Sequence, residues 1–280
     1  MTRSILITGC SSGIGLCAAE GLRARGYRVF ATARKAADVE MLKGKGLQAL
    51  QLDLDDSASI QQALEQVLAA TGGTLDALFN NAGYGQPGAV EDLSRAALRA
   101  QFETNLFGMI ELTNRVIPVM RRQGHGRIVQ NSSVLGYVAL AYRGAYNASK
   151  FAIEGITDTL RLELRGSGIH VSLIEPGPII SRFRANAFLA YQRYIDAPAS
   201  VHHASYTMME HRLHKPGPTA PFTLGPEAVL GKLIHALESP RPRARYPVTK
   251  PAIFLAYAKR LLPDAWLDRM LGGVSDRETQ

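Results

Sequence analysis

Cysteine, tryptophan and long apolar runs are all scarce in this chain, and each scarcity removes a class of protein. Among 280 residues there are two cysteines, Cys10 and Cys17. Both fall in the first turn-and-helix segment, where a bridge would distort a glycine turn. The fold is therefore expected to stand without disulfides, on reduced thiols, in the cytoplasm. No apolar stretch reaches the roughly 18 to 20 residues that a membrane-spanning helix requires. The N-terminal run Ile5-Leu6-Ile7 is cut short by glycine before it has the length of a secretory signal. Nor is there a block of like charge. The formal charge is +8, but the arginines are scattered along the chain. That argues against a nucleic-acid partner and leaves a phosphate-bearing cofactor or an anionic surface to use the excess. Four histidines gather at His202, His203, His211 and His214 without accompanying cysteines or carboxylates at ligand spacing, so no metal is expected.

What is present is a chain 46% hydrophobic, long enough to bury one large core and in the range of a single α/β domain. Short apolar runs alternate with segments of helical period, the pattern of a parallel sheet covered by helices on both faces. Seven strands are predicted at 4–8, 28–33, 49–53, 77–80, 127–131, 170–175 and near 244–248. Helices are predicted near 13–25, 58–71, 96–122, 145–166 and 226–238. Two segments break the alternation. Residues 181–222 carry many aromatics and end in Lys215-Pro216-Gly217-Pro218, and read as an insertion with short helices of the kind that covers a binding site. Residues 251–280 read as a C-terminal extension in which large apolar side chains alternate with Lys259, Arg260 and Arg269, and Pro263 must break or kink it.

Two motifs carry chemistry. After the first strand comes Thr8-Gly9-Cys10-Ser11-Ser12-Gly13-Ile14-Gly15. Strand, glycine turn and helix form the geometry in which backbone N–H groups and a helix N-terminus face a diphosphate, with Gly9, Gly13 and Gly15 permitting the turn and a close approach. Later comes Tyr146-Asn147-Ala148-Ser149-Lys150, thirteen residues beyond Ser133. A tyrosine and a lysine four apart share a helix face. The phenol titrates near ~10 unaided, so a fixed cation is the simplest means of letting it exchange protons at neutral pH.

Taken together, in this order, these motifs resemble those of the short-chain dehydrogenase/reductase family. The likeness runs through essentially the whole chain to about residue 250. It implies a doubly wound Rossmann domain with a seven-stranded parallel sheet, and a cofactor, NAD(H) or NADP(H), on Gly9, Ser11, Ser12, Gly13, Ile14 and Gly15. The second strand ends in Arg34-Lys35 where an NAD-preferring site generally places an acid to meet the ribose 2′-hydroxyl. Arg34, assisted by Lys35 or Ser12, therefore argues for NADP(H). Asp53 matches the family aspartate near the adenine, and Asn80-Asn81-Ala82-Gly83 matches a signature that supports the sheet and lines the adenosine side. Pro176, Gly177, Ile179 and Ser181 match the loop that positions the nicotinamide, with serine at 181 where threonine is more usual.

The resemblance also implies roles for four residues. Ser133, in preference to Ser132, would hold the substrate oxygen, and Tyr146 would exchange the proton. Lys150 would lower the phenol's pKa and bind the nicotinamide ribose, and Asn105 would fix a water in a relay. Within the family, the run Phe151-Ala152-Ile153-Glu154-Gly155 is similar to the retinol and 17β-hydroxysteroid dehydrogenase branch. Segments such as Phe222-Thr223-Leu224-Gly225-Pro226-Glu227 and Arg245-Tyr246-Pro247-Val248 look more like its bacterial NADP-dependent aldehyde reductases. The implied substrate is a small apolar carbonyl or alcohol, and the implied assembly a homodimer or homotetramer paired through the long helices that carry Asn105 and Tyr146. Two other readings stay open: a catalytically idle NADP(H)-binding redox sensor, and a membrane-associated retinoid or steroid dehydrogenase. For the C-terminal stretch, packing beside the pocket or a partner subunit is expected ahead of peripheral contact with a membrane.

Overall fold

In a computed structural model, residues 2–279 are described, with side chains through Asp276. The chain alternates strand and helix: β1 (Ser4–Ile7), α1 (Gly13–Ala24), β2 (Arg28–Ala33), α2 (Ala36–Gly44), β3 (Gln48–Gln51), α3 (Ser57–Thr71) and β4 (Ala77–Asn80). The second half holds α4 (Arg95–Phe102), α5 (Gly108–Gln123), β5 (Gly126–Asn131), α6 (Gly144–Glu163), β6 (Ile169–Glu175), α7 (Phe183–Tyr194), α8 (His203–His214), α9 (Glu227–Glu238) and β7 (Arg245–Pro247). It closes with α10 (Lys250–Leu261) and α11 (Asp264–Thr279).

All seven strands are parallel, in the order β3-β2-β1-β4-β5-β6-β7. β1 and β4 are buried along their whole length, which is why their sequences are continuous apolar runs instead of alternating ones. One core cluster holds Leu22, Val39 and Leu233 against one face of the sheet; a second holds Ile60, Leu112 and Val116 against the other. Strand order reverses between β1 and β4, and in such sheets the crevice at the strands' carboxyl ends is where ligands bind.

Three features depart from the sequence expectation. α2 was not predicted; it buries only Val39 and Leu42 amid exposed charges, a pattern too thin to stand out. The single helix predicted over 96–122 is two helices joined by one wide π turn, Glu103–Phe107. Just after that turn a Cβ on Gly108 would lie 1.9 Å from the Leu54 carbonyl oxygen, so the helix runs directly against the loop after β3. Asp53, predicted to end the third strand, falls two residues beyond β3.

Residues 181–222 fold as α7 and α8, joined around Tyr191, Ile195, Tyr206 and Met209. The C-terminal stretch breaks at Pro263 between α10 and α11, as the proline requires. No helix among the described residues is long and apolar enough to cross a membrane.

Candidate functional site

The glycine turn leaves β1 with Gly9 at φ +71° and Gly13 at φ +56°, a left-handed backbone that other residues adopt only with strain. Gly15 needs its missing side chain for a different reason: a Cβ there would sit 2.2 Å from the Gly9 carbonyl oxygen and 2.6 Å from Asn81 Nδ2. Ser12 makes no side-chain cap on α1, and no acid lies in the first turn. The N–H groups and positive end of that helix are thus open to an anion, which fits a diphosphate.

Neighbouring strand ends hold the turn in place. Thr8 Oγ1 accepts from the backbone N–H of Asn81 and of Ala82, each at 2.9 Å. Asn81 Nδ2 donates to the Thr8 and Gly9 carbonyls, and its Oδ1 accepts from Asn131 Nδ2. Thr8 was not among the predicted site residues; its place as the last residue before Gly9 was the available signal. Ser181 comes within 2.9 Å of where a Gly13 Cβ would be, so the turn and the loop 176–181 form one wall. In that loop, the Pro176 carbonyl accepts from Val134 N–H, and the side of Gly177 is filled by Thr249. Ile179 is joined to Leu224 by an isolated parallel bridge.

At the end of β2, Arg34 and Lys35 are exposed beside the turn. The Arg34 carbonyl is held by Gln51 Nε2, while its guanidinium is paired with no carboxylate among the described residues. Asp53 is half-buried, with Oδ1 accepting from Asp55 N–H. Ala82 packs against Gly9, and Gly83 leaves room for Asn105 Oδ1.

Ser133, Tyr146, Lys150 and Asn105 converge at the carboxyl end of β5 and the first turns of α6. Tyr146 and Ser133 share a hydrogen bond, and the Ser133 hydroxyl also accepts from Leu135 N–H at 3.1 Å. Lys150 is buried; its Nζ donates to the Asn131 carbonyl at 2.7 Å and lies 5.6 Å from the Tyr146 ring centroid. Asn105 sits in the π turn, where the Tyr84 backbone satisfies it twice: Oδ1 accepts from Tyr84 N–H and Nδ2 donates to the Tyr84 carbonyl. Nδ2 also reaches Ser149 Oγ at 3.2 Å, and Ser149 donates to the Tyr146 carbonyl. Ser132 points elsewhere, toward Glu154.

Burial dominates the electrostatics. It pushes the Tyr146 phenol up to about 12, against the Ser133 hydrogen bond and the charge of Arg143. It pushes Lys150 down to about 8, against the attraction of Glu154 one helical turn along. Behind the lysine lies a charge cluster absent from the sequence reading. Arg245 on β7 contacts Glu154 at 3.1 Å, Asp158 at 2.7 Å and Glu175 at 3.1 Å. A glutamate one turn after Lys150 and another closing β6 were its only signals, because Arg245 lies far away in sequence.

Above Tyr146 opens a cleft of about 120 Å³, lined by Tyr142, Phe183, Ala187, Met209 and Leu213 among others. Phe183 meets the Tyr146 ring edge-on at 5.2 Å. The predicted insertion thus supplies the outer wall. Arg184 ties its two helices together, donating to the carbonyls of Arg212 and Lys215 at the end of α8. The histidines of the segment do not converge on one point: His202 meets Glu91, His203 the Ala197 carbonyl and His214 the Phe188 ring, while His211 lies in the last turn of α8.

The model of the family described as short chain dehydrogenase matches residues 3–192. The chain is 45% identical over 273 residues to the uncharacterized oxidoreductase YbbO of Escherichia coli strain K12, covering 98% of this chain and 95% of that protein. It is 35% identical over 256 residues to human retinol dehydrogenase 8, covering 87% and 80%. Among solved structures, a short-chain dehydrogenase/reductase from Burkholderia phymatum in complex with NAD superposes with a TM-score of 0.78 at 25% identity, covering 93% and 92%.

Proposed function

Because the chain belongs to the short-chain dehydrogenase family, we propose that it interconverts an alcohol and a carbonyl with NADP(H), acting chiefly as a reductase of apolar aldehydes or ketones. The observation that carries this reading is the Tyr146 phenol, hydrogen-bonded to Ser133 and backed by Lys150 on the floor of an apolar cleft. A dinucleotide held by its diphosphate at the glycine turn would supply a hydride to the carbonyl carbon.

The chain's own groups handle the oxygen. Ser133 orients it, and Tyr146 gives it a proton as negative charge develops there. Burial, which pushes the phenol up to about 12, keeps it protonated at neutral pH, the form that can give a proton. Lys150, with its pKa near 8, is still cationic at neutral pH and stabilises the phenolate that remains. Asn105, fixed by Tyr84, is the post for a water that returns the proton. Arg34, exposed and with no carboxylate partner among the described residues, supports a preference for a 2′-phosphate. The likeness to a retinol dehydrogenase and the aromatic walls support an apolar substrate. Exposed Phe107, Phe151 and Leu162 on the long helices support pairing of two copies there.

The test is NADPH and NADH oxidation against a series of aliphatic and aromatic aldehydes, retinal and a steroid ketone, with Tyr146→Phe alongside. Turnover should prefer NADPH and fall by about 10²–10⁴ in the variant, while NADPH binding persists. Reduction should be flat through neutral pH and decline above about pH 8 as Lys150 loses its proton. Tight NADPH binding with no turnover on any carbonyl would replace this reading with that of a redox sensor.

A further inference from the structure

α10 is packed inside out. Its buried positions are the small Ala252 and Ala258, whereas Ile253, Phe254, Tyr257 and Leu261 are exposed, Leu261 to 78%. The spacing i, i+1, i+4, i+8 places those four on one stripe of the helix, the side away from the protein. Beyond the break at Pro263, Trp266 is 71% exposed at the start of α11, whose Leu267 and Leu271 turn inward against Leu135 and Val138.

The patch continues toward the loop 176–181. Lys250 Nζ, at the first residue of α10, lies 5.9 Å from the Phe222 ring centroid. Phe222 is itself 59% exposed and held at φ +58°, a conformation that a bulky residue adopts only with strain. Leu224 and Ile180, both exposed, are joined by the hydrogen bond from Ile180 N–H to the Leu224 carbonyl, next to Ser181.

Charge decides what such a surface meets. α10 carries Lys250, Lys259 and Arg260 and no carboxylate among its twelve residues. Lys259 is ion-paired with Asp264 at 3.1 Å, so two such faces brought together would set Lys250 and Arg260 against their own copies, and a second copy is disfavoured there. An apolar stripe flanked by lysine and arginine, with tyrosine and tryptophan at its edge, is the form of a helix that lies in the interface of a bilayer. We propose that α10, with Trp266 and Phe222, docks the protein on an anionic lipid surface. Docking is independent of turnover, so its failure and the failure of the reductase reading are separate results.

Trp266 is the sole tryptophan, which makes it an unlabelled reporter inside the patch. The full chain is floated with vesicles of phosphatidylcholine alone and with added phosphatidylglycerol, and its emission is followed, including with bromine-labelled acyl chains. The expected result is flotation that requires phosphatidylglycerol and weakens with salt, with Trp266 emission shifted to the blue and quenched by bromine. The substitution Phe254→Ser/Tyr257→Ser/Leu261→Ser should lower partitioning by roughly tenfold or more. Its thermal unfolding should stay near that of the parent, since those side chains are exposed. Protein left at the bottom of the gradient with unshifted emission would overturn the proposal. So would a dimer weakened by the same substitutions, which would make a second copy the occupant.

Discussion

The floor and the outer wall of the cleft are built on different terms. The floor is backbone and buried polar groups: the glycine turn, the Thr8 and Asn81 clamps, and Asn105 pinned twice by Tyr84. Its pieces come from strand ends fixed by the parallel ladder. The outer wall is side-chain packing: Tyr142, Tyr191 and Tyr206 meet edge-on or tilted at 5.6 to 6.1 Å, and Phe183 leans on Tyr146. A floor of short hydrogen bonds on a sheet tolerates little change, while a wall of rings on two short helices can be re-cut without disturbing it. On the proposed function, the difference would put reaction on one side of the cleft and substrate choice on the other.

The largest effect is expected where the floor has least room. Gly15→Ala would drive a Cβ into the Gly9 carbonyl and the Asn81 amide, so the turn itself must move. Overpacking of this kind costs typically ~1–3 kcal/mol, and here it falls on the diphosphate site. NADPH affinity, measured by fluorescence titration, should drop at least about tenfold, with the thermal midpoint also lowered. A variant that binds normally would show that the turn is not as rigid as the comparison requires.

Next comes Arg34→Ala. One charge-assisted phosphate pair is worth ~1.5–3 kcal/mol, so KM for NADPH should rise by roughly 10 to 100-fold while that for NADH changes little. Equal losses for both cofactors would mean that Arg34 supports the loop and does not read the 2′-phosphate. On the outer wall, Tyr206→Phe removes a fully buried hydroxyl that accepts from Ala89 N–H and donates to Asp92. The stranded Ala89 amide should cost about 1–2 kcal/mol by thermal denaturation. Its effect on turnover should appear in KM for bulky substrates, with kcat for a short aldehyde unchanged. A fall in kcat for every substrate would erase the division between wall and floor.

The floor was legible in the sequence because its chemistry is written in contiguous runs attached to strand ends. Gly9 to Gly15, Asn81 to Gly83 and Tyr146 to Lys150 each occupy one turn, and the sheet brings them together without further information. The wall was legible only as an interruption. Nothing in the period of residues 181–222 says that Phe183 meets Tyr146 or that Tyr206 reaches Asp92, since those contacts join elements by packing alone. α10 shows the same limit from the other side. Its apolar stripe was plain, but direction was not, because whether a stripe faces in or out depends on the neighbours available to cover it. The π turn at Glu103–Phe107 was hidden by apolar periodicity that runs on across it.

Arg245 is the part of the floor that no local pattern announced, and it offers the finest test of the comparison. Its three carboxylates outnumber it, and Glu175, almost fully buried, bears the consequence. Burial, then the charge of Glu154, pushes Glu175 up to about 8, with Arg245 pulling the other way. A carboxyl raised above its unfolded value near ~4.3 binds its proton more tightly in the folded protein. The stability this confers is complete below that unfolded value and is lost as pH rises through the folded one. Glu175→Gln keeps the shape of the protonated acid without its titration. Over about pH 5 to about pH 8 the parent should therefore lose stability relative to the variant in thermal or urea unfolding. Parallel curves would mean that Arg245 neutralises Glu175 in full. The floor would then rest on a balanced ion cluster, and Lys150 would sit in front of a neutral support instead of a strained one.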